Sequence, residues 1–197
     1  LVKTSDLHGI NGNTINIEVV ITSGLPGFDI VGLADSAIRE SRNRIRAAIR
    51  SSGFTFPNSR IIANLAPAYL RKQGSAFDFP LALAILVASG QIKSDSEKFM
   101  AFGELTLDGK IRGVPGAINR FMSLVASDNS KLLVPRACKR ELSLLSNDRT
   151  YFVSSLQEAV SCLNGKPYTG SGKNRHDPTA EADGGSSGEE ESESPFP

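Results

Sequence analysis

The chain has 197 residues, 40% hydrophobic and 22% charged, with 22 Lys and Arg against 21 Asp and Glu. That length suits the core of one ordinary domain and would cramp two. No run reaches the roughly 18 apolar residues of a membrane-spanning helix, and LVKTSDLHGING lacks the basic-then-apolar pattern of a secretory signal. The expectation is a soluble, cytoplasmic protein with no membrane partner.

Charge is unevenly distributed. Asp177 to Pro197 holds seven acids and no Lys or Arg, leaving 22 basic against 14 acidic side chains, or +8, in the rest. From residue 165 the composition is Gly, Ser, Pro and charge, too poor in apolar surface to offset chain entropy. Residues 165–197 therefore read as a disordered Gly/Ser/acidic tail or linker, and 1–164 as the folded domain. Cys138 and Cys162 have no CxxC partner and suit buried free thiols.

In chain order, a first strand is expected near Lys3 to His8. A second spans Thr14 to Thr22, where Ile15, Ile17, Val19 and Ile21 alternate with more polar neighbours. Asn11 and Gly12 before it have hairpin-turn chemistry. GLPGF (24–28) is a tight connection in which Gly24 and Gly27 permit positive φ, Pro26 fixes the turn and Phe28 packs inward. DIVGL is a short strand, after which Asp35 or Ser36 caps a long helix to about Ser52, closed by Gly53. Phe54, Phe56 and Pro57 read as a connection pinned by aromatic burial, and RIIANL (60–65) as a buried strand.

A second long helix ends near Gly90. With Asp78 as its N-cap, Pro80 falls at the second helical position, where a missing N–H costs nothing, and Leu81, Ile85 and Ala84 or Ala88 form the buried stripe. MAFGEL and KIRGV flank the turn LDG as a hairpin. PGAINRFMSLVAS is a third helix, KLLVP a strand, and ACKRELSLL and SLQEAVSCLNG are helices around the strand TYFV. This order predicts a single α/β domain of α+β mixed-sheet type, with helices packed on a mixed sheet.

Simple metal and nucleotide chemistries find no support. His8 and His176 stand at opposite ends of the chain, with no HxxxH or CxxC spacing for a metal. TGSGKN (169–174) fails as a phosphate loop, because Pro167 occupies the first glycine position and Asn174 replaces the Ser or Thr that would hold magnesium.

Three stretches carry a resemblance: GLPGFDIVGLADSAIRESRNRIRAAIRSSGFTFP, NLAPAYLRKQGSAFDFPLALAILVASGQI and FGELTLDGKIRGVPG. Together they resemble the N-terminal domain of ComM/YifB-type magnesium-chelatase-related (ChlI-like) AAA+ ATPases, over about residues 1 to 164. The resemblance implies a Lon proteolytic-domain-like fold that precedes an ATPase module. It also implies partnership with that module in cis or in trans, a homo-hexamer, and ATP-driven work on DNA such as branch migration during natural transformation. ATP and magnesium would belong to the ATPase module, so no cofactor is expected in these residues.

Lon-type peptidases use a Ser nucleophile with a Lys base. By the same resemblance the serine position falls on Ala76 and the lysine position on Ile118, neither of which can do that chemistry, so the chain alone is not expected to be an enzyme. The rival is a hydrolase using the neighbouring Ser75 with Lys72 or Lys110, and a third reading is a stand-alone nucleic-acid-binding protein.

What remains is a basic surface. Within ADSAIRESRNRIRAAIRSS, Ile38, Ile45, Ala48, Ile49 and Ser52 recur at core spacing, while Arg39, Arg42, Arg46 and Arg50 follow at steps of three, four and four. Arg44 lies beside that stripe, and the one nearby acid is Glu40. Arg60, Arg71 and Lys72 extend the patch if the NLAPAYLRKQG loop comes alongside. Such a row can track a nucleic-acid backbone, grip an acidic partner surface, or simply be solvated. Few aromatic residues accompany it, so base stacking has little support from sequence.

Overall fold

The computed structural model describes residues 1–93, 98–127 and 129–166. Residues 167–197, including TGSGKN, His176 and the acidic run, lie outside the described residues. Strands β1 (Val2–His8) and β2 (Asn11–Thr22) form an antiparallel hairpin. Its turn is at Gly9 and Ile10 rather than Asn11 and Gly12, which already pair with His8 and Leu7. Gly9 supplies the positive φ of +63°. Gly12 answers a different demand: a Cβ there would sit 2.5 Å from the Ser123 hydroxyl of a helix crossing the hairpin.

Next, β3 (Gly27–Val31), α1 (Ser36–Ser51) and β4 (Arg60–Ala66) make a βαβ unit with β3 parallel to β4. Helix α1 starts as the sequence predicts, with Asp35 Oδ1 accepting from Ile38 N at 2.8 Å. Phe28 and Phe56 are buried together, ring centroids 6.0 Å apart. Helix α2 (Asp78–Ala88) is entered through a 3-10 turn over Ser75–Phe77. The MAFGEL segment divides at Gly103, which takes φ +152°. Its first half is β5 (Phe99–Ala101) in the main sheet, and its second half, β6 (Glu104–Leu105), pairs with β7 (Ile111–Arg112). Then come α3 (Ala117–Ser127), β8 (Lys131–Pro135), the short α4 (Lys139–Leu142), β9 (Thr150–Val153) and α5 (Leu156–Leu163).

The main sheet has seven strands in the order β3-β4-β2-β1-β5-β8-β9. Only β2 runs against the others, so the C-terminal ends of six strands, and the loops that follow them, gather at one end. Strands β5 and β8 are buried on both faces. Phe99, Ala101 and Leu133 join the larger core with α1, α2 and α5, while Met100, Leu132 and Val134 join a smaller one with α3 and Cys138. By contrast, β2 and β4 alternate inward and outward, with Val20 and Ile62 exposed on the open side. No helix among the described residues is long and apolar enough to cross a membrane. Both cysteines are free; Cys138 is buried and Cys162 half-buried.

Helix α2 departs from the expected amphipathic stripe: every residue from Asp78 to Leu86 is buried. Its N-cap position is Phe77, which makes no side-chain cap, so Asp78 is not the cap. Pro80 still sits in the first turn and disrupts nothing. Asp78 is fully buried, and its Oδ2 accepts from Arg44 Nε at 2.6 Å. Burial pushes this carboxyl above its ordinary range, and the Arg44 hydrogen bond and charge pull against that rise. Arg44 therefore turns its Nε inward from the arginine row to hold α1 against α2, with its side chain still 30% exposed. The arginine claims one oxygen of this buried carboxylate, Oδ2, while the buried Oδ1 has no hydrogen-bond partner.

Removing one member of such a pair strands the other. Arg44→Ala is expected to lower stability to urea by about 3 kcal/mol, and the double variant Arg44→Met/Asp78→Leu to recover most of the loss.

Candidate functional site

Two loops meet at the C-terminal strand ends. Lys72 N donates to Leu33 O at 3.1 Å, Asp35 N donates to Lys72 O at 3.1 Å, and Ala34 and Lys72 form a parallel bridge. Asp35 Oδ2 also accepts from Gly74 N at 3.1 Å. The Lys72 side chain is fully buried, and its Nζ donates to Gly32 O at 2.7 Å and to Pro67 O. Burial lowers its pKa, and the nearby Asp6 charge works against that. Lys72 is thus withdrawn as a partner contact, for a clear reason. Loop carbonyls turned into the fold lack ladder partners, and an ammonium on a four-carbon stem satisfies two of them at once. Arg71, next to it, is exposed.

The same junction constrains the Gly32–Leu33 backbone. Gly32 takes φ +100°, and a Cβ there would meet Leu65 O at 2.2 Å. Leu33 follows at φ +55°, unusual for a residue with a side chain, and is 58% exposed.

Along α1, four of the five arginines remain outside the Asp78 pair. Arg39 Nη1 donates to Ala34 O at 2.6 Å, which joins the α1 row to the loop junction. Arg42 donates from Nε to Arg39 O at 2.8 Å and from Nη1 to Phe28 O at 3.1 Å, with Asp29 3.9 Å away. The Arg46 guanidinium lies 4.9 Å from the Phe56 ring centroid, and its buried Nε has no hydrogen-bond partner. Arg50 is exposed at the last turn. Phe28, Arg39, Glu40, Arg42, Asn43 and Arg46 line an open groove of about 550 Å³. Arg60 is engaged with Asp29 at 2.5 Å, so it adds little free charge to the patch. The groove can receive a phosphate or carboxylate by charge-assisted, forked hydrogen bonds.

The elbow before α2 carries different chemistry. Ser75 Oγ donates to Glu104 Oε2, and Glu104 lies 3.8 Å from Arg112. Ala76 is buried in the smaller core with Val114 and Ala117, while Ile118 is 41% exposed. Of the two lysines considered as bases, Lys72 is held by backbone carbonyls and Lys110 pairs with Asp108 at 2.9 Å. His8 Nε2 lies 3.7 Å from Asp6 Oδ2. Among the described residues no cluster of His, Cys, Asp or Glu is arranged to hold a metal.

Sequence reasoning missed two features. Tyr69, in the loop after β4, is 80% exposed, one exposed aromatic side chain at the end of the sheet where the two loops meet. Its setting in a short Pro-containing loop was the available signal. A second open concavity of about 570 Å³ is lined by Thr106, Asp108, Lys110, Arg112, Arg136 and Ser154. There each base already has an acid: Asp108 for Lys110, Glu104 for Arg112 and Glu158 for Arg136.

A family model described as subunit ChlI of Mg-chelatase matches residues 17–138. YifB of Salmonella typhimurium is 40% identical over 167 residues, covering 84% of this chain and 33% of the relative. The competence protein ComM of Haemophilus influenzae is 39% identical over 161 residues, covering 80% and 31%. A Lon protease of Mesomycoplasma hyopneumoniae is 24% identical over 139 residues, covering 68% of this chain and 16% of that protein, which fits the mixed α/β fold. The chain thus spans about a third of the length of the YifB and ComM relatives it matches. With a family model covering most of its folded residues and two such relatives aligned along its length, the chain belongs to the ChlI-type, magnesium-chelatase-like family that includes YifB and ComM.

Proposed function

We propose that this chain is the Lon-like accessory domain of a ComM/YifB-type AAA+ machine, hydrolyses no peptide, and contacts DNA phosphates through the α1 groove. The observation that carries the DNA contact is the groove itself, where Arg39, Arg42 and Arg46 converge beside only Glu40 and the partly engaged Asp29. Three guanidinium groups against so little acid favour a polyanion over a neutral surface. A relative named as a competence protein fits a DNA-handling role. In that setting ATP and magnesium sit in an ATPase module supplied in cis or in trans, assembly is hexameric, the machine works in the cytoplasm, and branch migration during natural transformation is the process served.

Support for the non-hydrolytic part comes from the elbow. The Ala76 methyl has no lone pair to attack a carbonyl, Ile118 takes no proton, and the Lys72 ammonium is engaged by Gly32 O and Pro67 O. Ser75 is left with a carboxylate partner, which is a poor match to the Ser and Lys pairing of a Lon-type peptidase.

Two experiments test this reading. In salt-titrated binding to duplex DNA, Arg42→Gln/Arg46→Gln is expected to weaken affinity and to flatten the log–log salt slope by roughly 1.8, the loss of two phosphate contacts. An unchanged slope in a variant with native circular dichroism removes DNA from α1. A fluorophosphonate probe is expected to leave Ser75 unlabelled, whereas stoichiometric labelling that depends on Ser75 would reinstate the hydrolase.

A further inference from the structure

We propose that Tyr69 is a base-stacking residue and that the α1 groove, continued onto the Leu33–Tyr69 ledge, is a path for single-stranded nucleic acid. The proposal rests on the reading of the groove as a phosphate site and adds the strand state it selects.

Tyr69 occupies the turn closed by Leu70 N donating to Pro67 O at 3.4 Å, and it is 80% exposed. A single exposed aromatic residue is ordinary on a protein surface. Tyr69 differs in how its base is held. The Lys72 ammonium grips Pro67 O, the first residue of that turn, and Gly32 O, so both loops are fastened to one buried point. A ring on a fixed turn loses little freedom when something stacks on it.

The junction that holds the Tyr69 loop adjoins the α1 arginine row. Ala34 bridges Lys72 on one side and accepts from Arg39 on the other. Tyr69 is three residues from Lys72, a reach of at most about 11 Å. Leu33, held at φ +55° with its side chain 58% exposed, is apolar surface on the loop that pairs with Lys72, and Arg71 is exposed on the Tyr69 loop. The carboxylate of Asp35, at the start of α1, is spent on the backbone N–H groups of Ile38 and Gly74. The ledge therefore offers an aromatic face and an aliphatic face among arginines.

A duplex keeps its base faces stacked inside and meets such a ledge with phosphates alone. A single strand offers open base faces, and stacking on an aromatic side chain adds to backbone contact whatever the base. The guanidinium groups of Arg39 and Arg42 would take phosphates, and Tyr69 a base.

The chain contains no tryptophan, so Tyr69→Trp introduces one indole emitter at the ledge. Oligodeoxythymidine is expected to quench the indole emission of this variant and a duplex of equal length to leave it unchanged. Tyr69→Ala should weaken oligodeoxythymidine binding about tenfold and duplex binding not at all, while Arg42→Gln/Arg46→Gln weakens both. The inference is overturned if the indole emission stays constant at oligonucleotide concentrations that saturate the wild type, or if Tyr69→Ala weakens both strand states equally; loss of both in the arginine variant would then leave the phosphate groove standing. Binding of neither strand state by the wild type overturns the groove reading as well. An effect of Tyr69→Ala confined to a protein partner of the chain overturns the nucleic-acid assignment in favour of a protein contact.

Discussion

The meeting of loops at the C-terminal strand ends of this domain depends on one buried ammonium. Lys72 reaches inward and binds the carbonyls of Gly32 and Pro67, while its own backbone pairs with Leu33 and Asp35. These contacts bring the loop after β3 against the loop after β4. They also place Asp35 where it caps α1 and accepts from Gly74, so the start of the arginine helix and the approach to α2 are set by the same junction. A buried lysine is costly unless its donors are used, and here the carbonyls of Gly32 and Pro67 use two of them.

That arrangement supports the proposal that the chain hydrolyses no peptide in two ways. It holds the lysine nearest in sequence to the elbow on backbone oxygens, and it leaves the elbow with a small buried methyl at Ala76 beside a hydroxyl at Ser75 that donates to Glu104. The fold still gathers its loops where six parallel strands end, the usual place for ligands on an open α/β sheet. What those loops present is charge and exposed apolar surface. The Arg44–Asp78 pair anchors α1 through its inward side and leaves Arg39, Arg42 and Arg50 exposed, with Arg46 half-buried against Phe56.

The regular elements are largely legible in the sequence because their patterns are local. The alternation of Ile15, Ile17, Val19 and Ile21 reports a strand with one buried face, and Asp35 before a helical run reports a cap. Sequence and structure part where a tertiary partner overrides local chemistry. Asp78 looks like an N-cap by position, but burial in α2 and an arginine 34 residues earlier give it a different role. Lys72 and Arg44 look like surface cations because sequence shows their charge and not the carbonyls or carboxylate that receive it. Asn11 and Gly12 have turn chemistry, yet the ladder begins with them, and Gly12 is needed for the close approach of α3. The proline near Tyr69 signals a turn in the sequence, but not that a buried lysine fixes that turn from beneath.

The burial of Lys72 is open to direct measurement by amine-reactive ester labelling of the native chain, followed by mass spectrometry. The account predicts that the exposed Lys110 and Lys139 are modified rapidly and that Lys72 remains unmodified until the protein is unfolded. Modification of Lys72 in the native state at the rate of Lys110 would contradict it, because a free ammonium there could neither clasp the two loops nor be denied to Ser75 as a base.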